Sequence, residues 1–281
     1  MRNIVISDSG KLENIKQEIV KQGKEKVHVI ADFDRTLTRA FVRGRRVTSL
    51  ISVLRDYNYL TEEYTKRANA LRDKYYSIEL ADIPLREKKK AMHEWWTEHF
   101  RLLVESKLNK KDLEMVVKSE KVKLRKGALS FFDFLYKQKI PLVILSSAGL
   151  GGDSIAMFLE NEKRLYGNIH IISNSFKWDK NGYAVGVEKP IIHRMNKDEI
   201  PVKDFPVYKI IRNRKNVILL GDSLSDIEMV KGFDYEKIIK IGFLNESIRE
   251  NLKSYKEDYD VVILNDGSMD YVNKLMREII K

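Results

Sequence analysis

No cysteine occurs anywhere in the 281 residues, so disulfides, thiolate metal sites and a cysteine nucleophile are excluded together. Any metal must then sit on oxygen or imidazole. Nowhere do about 18 apolar residues run uninterrupted, and the opening MRNIVISDSGKLENI lacks the apolar stretch of a secretory signal. A cytoplasmic location is expected, with no membrane partner. Proline is scarce at 5 residues and glycine modest at 14, which excludes collagen-like and low-complexity chains. With 43% hydrophobic and 33% charged residues, the composition is that of a folded protein, long enough for one large core carrying a smaller inserted unit.

Charge is abundant and unbalanced. The 52 basic and 41 acidic residues leave a net +11, and a positive field attracts phosphometabolites, nucleic acid and acidic lipid alike. The basic clusters RGRR (43–46), REKKK (86–90) and KSEKVKLRK (118–126) are broken by acids or apolar residues, the pattern of solvated helix faces. Nucleic-acid surfaces concentrate positive charge on one face. Dispersed basics therefore argue against a stable nucleic-acid partner.

Short, nearly uniform apolar runs recur at 27–34, 140–147, 169–174, 216–222, 237–244 and 259–264. Each has the length and composition of a parallel strand covered on both faces. Helical stretches such as RKGALSFFDFLYKQ separate most of them, and this alternation predicts an α/β fold with a doubly wound, mainly parallel sheet. About a hundred residues after the first strand break the rhythm. Three helices are predicted there, opening at Thr61, Pro84 and Asn109. We read 41–121 as an inserted helical cap that starts with a flap hairpin turning at Gly44, and 1–40 with 122–281 as the α/β core.

The first strand runs into VIADFDRTLT, with Asp32 and Asp34 flanking Phe33. Ionised acids at the end of a buried strand are unfavourable unless cations or donors meet them, and alternation along an extended chain aims both the same way. Ligands of a doubly wound sheet bind beyond the carboxyl ends of its strands. There the second strand places Ser146 and Ser147, the fourth places Asp222 with Asp226 a turn later, and a connecting loop carries Lys197. A single aspartate after a strand is commonly a helix cap or turn residue, but here the acids combine with hydroxyls and a lysine. Carboxylate oxygens suit magnesium, and hydroxyls, backbone N–H groups and a lysine suit a phosphate dianion. One acid can then attack phosphorus while its crowded neighbour holds a proton for the leaving oxygen.

DFDRTLT, VILSSAG, Lys197 and GDSLSD resemble the four motifs of the haloacid dehalogenase superfamily of phosphohydrolases. EKKKAMHEWW, KPIIHRMNKDE and LLGDSLSDIEM narrow the likeness to the cytosolic pyrimidine 5′-nucleotidase family, also called cytosolic 5′-nucleotidase III, from about residue 20 to the end. The resemblance implies a Rossmann-like core and a magnesium-dependent 5′-nucleotidase acting on nucleoside monophosphates, with Asp32 as nucleophile and Asp34 as general acid and base. It places magnesium on the Asp32 carboxylate, the Asp34 carbonyl and Asp222, with Asp226 orienting its waters. Lys197 and either Ser146 or Ser147 would hold the phosphate. Glu79 matches the acid that faces the nucleoside, and His99 stands where relatives carry a serine near the substrate; Ile51 and Ser52 replace a His-Asn pair. A monomer is expected. The alternative within the superfamily is a phosphatase for another small phosphometabolite.

HEWWTEH invites a zinc reading, but His93 and His99 lie six apart, about 240° around a helix. They cannot share a face. GLGGDS (149–154) lacks the spacing of a dinucleotide loop. Trp95 and Trp96 are expected to pack the helical region, the alternative being that one of them stacks on a base.

Overall fold

The structure is a computed structural model that describes residues 3–47, 49–200, 202–231 and 234–280. The chain opens with β1 (Ile4–Ile6), α1 (Ser9–Gln22) and β2 (Val27–Ala31), then a small hairpin of β3 (Phe41–Val42) and β4 (Arg45–Arg46). Four helices follow: α2 (Leu50–Asp56), α3 (Glu62–Leu80), α4 (Leu85–Glu105) and α5 (Lys110–Lys118). The sheet resumes through α6 (Ala128–Lys137), β5 (Leu142–Leu145), α7 (Gly151–Asn161) and β6 (Ile169–Ile172). A second hairpin, β7 (Phe176–Trp178) and β8 (Ala184–Val187), precedes α8 (Tyr208–Ile211) and β9 (Asn216–Gly221). The chain ends in β10 (Lys237–Leu244), α9 (Ile248–Asp258), β11 (Val261–Leu264) and α10 (Asp270–Ile279).

Seven strands form one sheet in the order β1-β11-β10-β9-β2-β5-β6. Only β1 runs antiparallel to its neighbour. All six runs expected as strands lie in this sheet, and β2, β5 and β9 are buried along their whole lengths, as strands covered on both faces must be. From β2 the chain builds outward to β5 and β6, then crosses to β9 on the other side. The carboxyl ends of β5, β2 and β9 therefore meet at the point where strand order reverses, the usual ligand crevice of such sheets.

Helices α3 and α5 start where their caps dictate, with the Thr61 side chain accepting from the Tyr64 N–H and Asn109 from the Lys111 N–H, while Asp112 returns a bond to the Asn109 N–H. The inserted helices do not bury a core of their own. Leu50, Val53, Tyr64, Phe100 and Leu113 belong to the same apolar cluster as Val29, Ile144 and Phe131 of the sheet layer. The β7–β8 hairpin is tied to the link between α4 and α5 by the Ala184 N–H to Leu108 O bond and the Lys110 N–H to Gly182 O bond. Among the described residues no helix is long and apolar enough to cross a membrane.

His28, the second residue of β2, is buried, and its Nδ1–H donates to the Arg214 carbonyl at 2.8 Å. Burial pulls its pKa from 6.5 to about 4. The unfolded chain therefore takes up a proton that the folded chain refuses, so stability present above pH 6.5 is lost as pH falls through this window, by up to roughly 1.4 kcal/mol per pH unit for one such group. Urea midpoints of the parent and His28→Gln between pH 4 and 6.5 check this. A flatter slope in the variant is expected, and identical slopes would contradict it.

Candidate active site

The strand ends earlier than the sequence suggested. β2 stops at Ala31, and Asp32 leaves it with its N–H still donating to Leu220 O at 3.0 Å. Residues 33–37 then form one wide helical turn, closed by the Thr38 N–H to the Phe33 carbonyl, with Asp34 extended (ψ 129°) and Arg35 left-handed (φ 61°). Asp32 and Asp34 face one cavity because of this turn, not because of strand alternation. Phe33 between them is buried edge-on against Phe158 of α7, with ring centres 5.6 Å apart.

A left-handed arginine is strained and must be held from outside. Arg125 does so. Its Nε donates to Thr36 O at 2.7 Å, Nη2 bonds the Arg35 carbonyl and the Asn245 Oδ1, and Nη1 reaches Gly267 O at 2.8 Å and Asp266 Oδ1 at 3.1 Å. The KSEKVKLRK run was expected to be a solvated face, but this arginine is fully buried because it saturates its donors on carbonyls and acids from distant parts of the chain.

Lys197 sits on a single 3₁₀ turn, Lys197–Glu199. Its ammonium is buried between Asp32 Oδ1 at 2.7 Å and Asp226 Oδ1 at 2.8 Å. Two asparagines shape the loop that brings it there: Asn174 exchanges bonds with the backbone of Ile192, and Asn196 bridges the His193 N–H and the Ile191 carbonyl. Beyond β9, Asp226 Oδ2 accepts from the N–H groups of Asp222 and Ser223 at 3.0 Å and from the Ser223 hydroxyl. This folds the loop onto Gly221, where a Cβ would stand 2.5 Å from that of Asp226. Only glycine fits. Asp222 keeps its carboxylate 3.3 Å from Arg35 Nε. Ser146 is buried at the end of β5, its N–H bonded to Ile172 O.

Four acids in so small a buried space perturb one another. Burial, opposed by Lys197 and reinforced by Asp226 and Asp222, lifts the Asp32 pKa to about 7. Burial together with Asp32 and Asp222 pushes Asp34 well above the carboxylate range, and its Oδ1 has no hydrogen-bond partner. Burial and Asp226 raise Asp222 to about 6. Burial also opposes ionisation of Asp226, yet the Lys197 ammonium outweighs it and holds that carboxyl low. Carboxylate oxygens of Asp32, Asp222 and Asp226 lie within 4.8 Å of one another. An all-oxygen set with more negative charge than one lysine can balance, and an orphaned acid oxygen beside it, fits a hard divalent cation such as magnesium.

Asp32, Asp34, Ser146, Ser147, Lys197, Asp222 and Asp226 all line one cavity of about 490 Å³. A second pocket of about 730 Å³ opens beside it toward the inserted helices, and Asp34, Arg46, Tyr76 and Ser147 line both. Glu79 and His99 lie in this second pocket, away from the acid cluster. Glu79 is no free surface acid, because Arg194 Nη1 donates to its Oε1 at 3.1 Å. The half-buried His99 ring donates through Nε2 to Gly149 O at 3.1 Å and meets Trp96 edge-on, loss of water around it pulling its pKa to about 4. Trp95 lines the same pocket and stacks on Tyr75. His93 instead faces His193 at 6.1 Å.

Sequence reasoning missed Arg46, Tyr76 and Arg194 as cavity residues. Arg46, in RGRR, is exposed as expected, but it also closes a bidentate bond on Glu246 at 2.7 and 3.0 Å, and Arg35 bonds the same carboxylate at 2.7 Å. The partner lies 200 residues away, so nothing local signals the pairing.

Comparison with known proteins gives a consistent picture. The profile of the family described as pyrimidine 5′-nucleotidase (UMPH-1) matches residues 35–280. A human protein named 7-methylguanosine phosphate-specific 5′-nucleotidase is 34% identical over 279 residues, covering 99% of this chain and 92% of its own. The corresponding Xenopus laevis protein A is 36% identical over 261 residues, 92% of this chain and 89% of its own. Among solved structures, cytosolic 5′-nucleotidase IIIB bound to cytidine superposes with a TM-score of 0.90 at 27% identity, over 99% of this chain and 94% of that one. A phosphoserine phosphatase superposes with a TM-score of 0.53 at 16% identity, over 91% of this chain and 98% of that one. That likeness extends to the fold alone.

Proposed function

Because the chain belongs to the pyrimidine 5′-nucleotidase family and has the α/β fold of haloacid dehalogenase-type hydrolases, we propose that it hydrolyses nucleoside 5′-monophosphates, pyrimidine ones foremost, through an aspartyl-phosphate on Asp32 with magnesium bound beside it. The observation that carries this reading is the convergence of Asp32, Asp34, Ser146, Ser147, Lys197 and Asp222 on one cavity that opens into a pocket of about 730 Å³. That second space is of nucleoside size.

With Asp32 Oδ1 bonded to Lys197, the other carboxylate oxygen attacks phosphorus as the bond to the 5′-oxygen breaks. Asp34, kept protonated by burial and its acidic neighbours, gives its proton to the departing oxygen. It then takes a proton from the water that attacks the phosphorus of the aspartyl-phosphate, and Asp32 is released. Lys197 and the serines at the end of β5, Ser146 or Ser147, hold the phosphoryl oxygens. The Asp32 carboxylate, the Asp34 carbonyl and Asp222 would hold magnesium, with Asp226 orienting its waters, and the ion would supply positive charge against the phosphate and the acids.

Residues 41–121 serve as the cap, with the β3–β4 hairpin as its flap, over a core of 1–40 and 122–281. Glu79 accepts a hydrogen bond from the amino group of the base. The protein works as a cytoplasmic monomer; relatives named cytosolic 5′-nucleotidases support the location.

The test is phosphate release from cytidine, uridine and 7-methylguanosine 5′-monophosphates alongside phosphoserine and a sugar phosphate, with magnesium and with excess chelator. Nucleotides should be turned over with the higher kcat/KM, and chelator should silence the enzyme until magnesium is restored. A sugar phosphate or phosphoserine preferred over every nucleotide would remove the nucleotidase reading, and undiminished turnover in chelator would remove the metal.

A further inference from the structure

The acids that reach the nucleoside-sized pocket from the inserted helices all have basic neighbours. Asp56 pairs with Arg55 at 2.8 Å, Asp73 with Arg72 at 2.8 Å, and Glu79 with Arg194 at 3.1 Å. The first two pairs are formed by adjacent residues on single helices. The third is different in kind, because it joins α3 to the loop that carries Lys197, 115 residues away. Arg194 lines the catalytic cavity, and Glu79 lines the pocket beside it. The pair therefore stands at the join of the two spaces. Its guanidinium is further steadied by Nε donating to Ser225 Oγ at 3.3 Å, and only 13% of the Glu79 side chain is exposed against 55% of Arg194.

A sheltered carboxylate without a counter-ion favours a cationic ligand. The same carboxylate paired with a guanidinium does not, since the net charge of the pair is zero, yet its oxygens retain lone pairs for a neutral amino donor. The bases named among similar proteins differ in this respect. Cytosine is neutral and presents an exocyclic amino group, whereas 7-methylguanine carries positive charge on its imidazole ring. We propose that Arg194 sets the base-charge preference of the pocket by neutralising Glu79, so that this chain takes a neutral amino-bearing base such as cytosine in preference to a cationic one such as 7-methylguanine. The inference rests on the nucleotidase reading above. It makes Arg194 a specificity residue that acts through Glu79.

The experiment compares kcat/KM for cytidine and 7-methylguanosine 5′-monophosphates in the parent, Arg194→Met, Arg194→Lys, Glu79→Gln and the double variant Glu79→Gln/Arg194→Met. The parent should favour the cytidine nucleotide. Arg194→Met should shift the ratio toward the 7-methylguanosine nucleotide by about tenfold, the size of one partly screened charge interaction. Arg194→Lys keeps the charge and should restore most of the parental ratio. In the Glu79→Gln background, adding Arg194→Met should move the ratio much less than it does alone. A parent that prefers the 7-methylguanosine nucleotide overturns the proposal. So does Arg194→Met lowering both values by one common factor, or shifting the ratio as far without the Glu79 carboxylate as with it. A parent that hydrolyses neither nucleotide while releasing phosphate from other esters overturns the nucleotidase reading itself, a distinct result.

Discussion

Asp32→Asn is expected to lower kcat on a nucleoside monophosphate by at least about a thousandfold, the scale on which loss of a covalent nucleophile acts, while the protein stays folded. The kinetic half follows from chemistry, since an amide oxygen is a far poorer nucleophile toward phosphorus than a carboxylate. The stability half follows from the site. Asp32 is buried beside Asp222 and Asp226, and these together with burial lift its pKa from 3.8 to about 7. A raised carboxyl pKa means that ionising Asp32 near neutral pH opposes folding, so removing the ionisable group relieves a penalty. The Asn side-chain oxygen can still accept from Lys197, which sits 2.7 Å from Asp32 Oδ1. The melting temperature should therefore stay within about 3 °C of the parent, equivalent to less than roughly 1 kcal/mol for a chain of this size. Thermal melts and phosphate-release rates on the same preparations check both halves. A variant that is folded and retains several per cent of the parental kcat would contradict the assignment.

Lys197→Met should have the largest effect on stability. The ammonium is buried and bonds two carboxylates, Asp32 at 2.7 Å and Asp226 at 2.8 Å, and burial opposes its charge while both acids hold its pKa above the usual lysine value. Replacing it with an apolar chain leaves Asp32 and Asp226 without their ammonium partner, and breaking such a pair from one side typically destabilises by about 3–5 kcal/mol. Turnover should fall as well, because the phosphoryl group loses a cationic contact. The metal assignment makes a further demand. Magnesium should raise the melting temperature of Lys197→Met more than that of the parent, since the cation then meets two carboxylates that have lost their ammonium. Melts with and without magnesium measure this independently of activity. An undisturbed melting temperature would show that the lysine is not paired as described, and a magnesium response no larger in the variant would weaken the acid cluster as the cation site.

The sheet was largely legible because β2, β5 and β9 are buried on both faces, so their uniform apolar runs carry the signal that periodicity reads best. β1 was not expected as a strand: it is three residues long at the sheet edge, with Ile6 exposed. The β7–β8 hairpin did leave a signal, since Asn181-Gly182 lies between FKW and AVGV and Gly182 takes φ +82°, a combination that marks tight hairpins. The residues of the acid cluster stood out through their position after strands. Arg125, Arg46 and Arg194 did not, because the acids and carbonyls they bond lie between 89 and 200 residues away in the chain. An arginine in sequence reads as surface until its carboxylates and carbonyls are seen.

The covalent intermediate itself offers the most direct test. The enzyme would be mixed with excess cytidine 5′-monophosphate and magnesium and quenched within a turnover. Borohydride would then reduce any acyl-phosphate to an alcohol, and mass spectrometry would be run on the peptide spanning the end of β2. The expected result is homoserine at position 32 in the parent, absent without substrate and absent in Asp32→Asn. Rapid turnover with an unmodified Asp32 and the phosphoryl group trapped on another residue would contradict nucleophilic catalysis by Asp32.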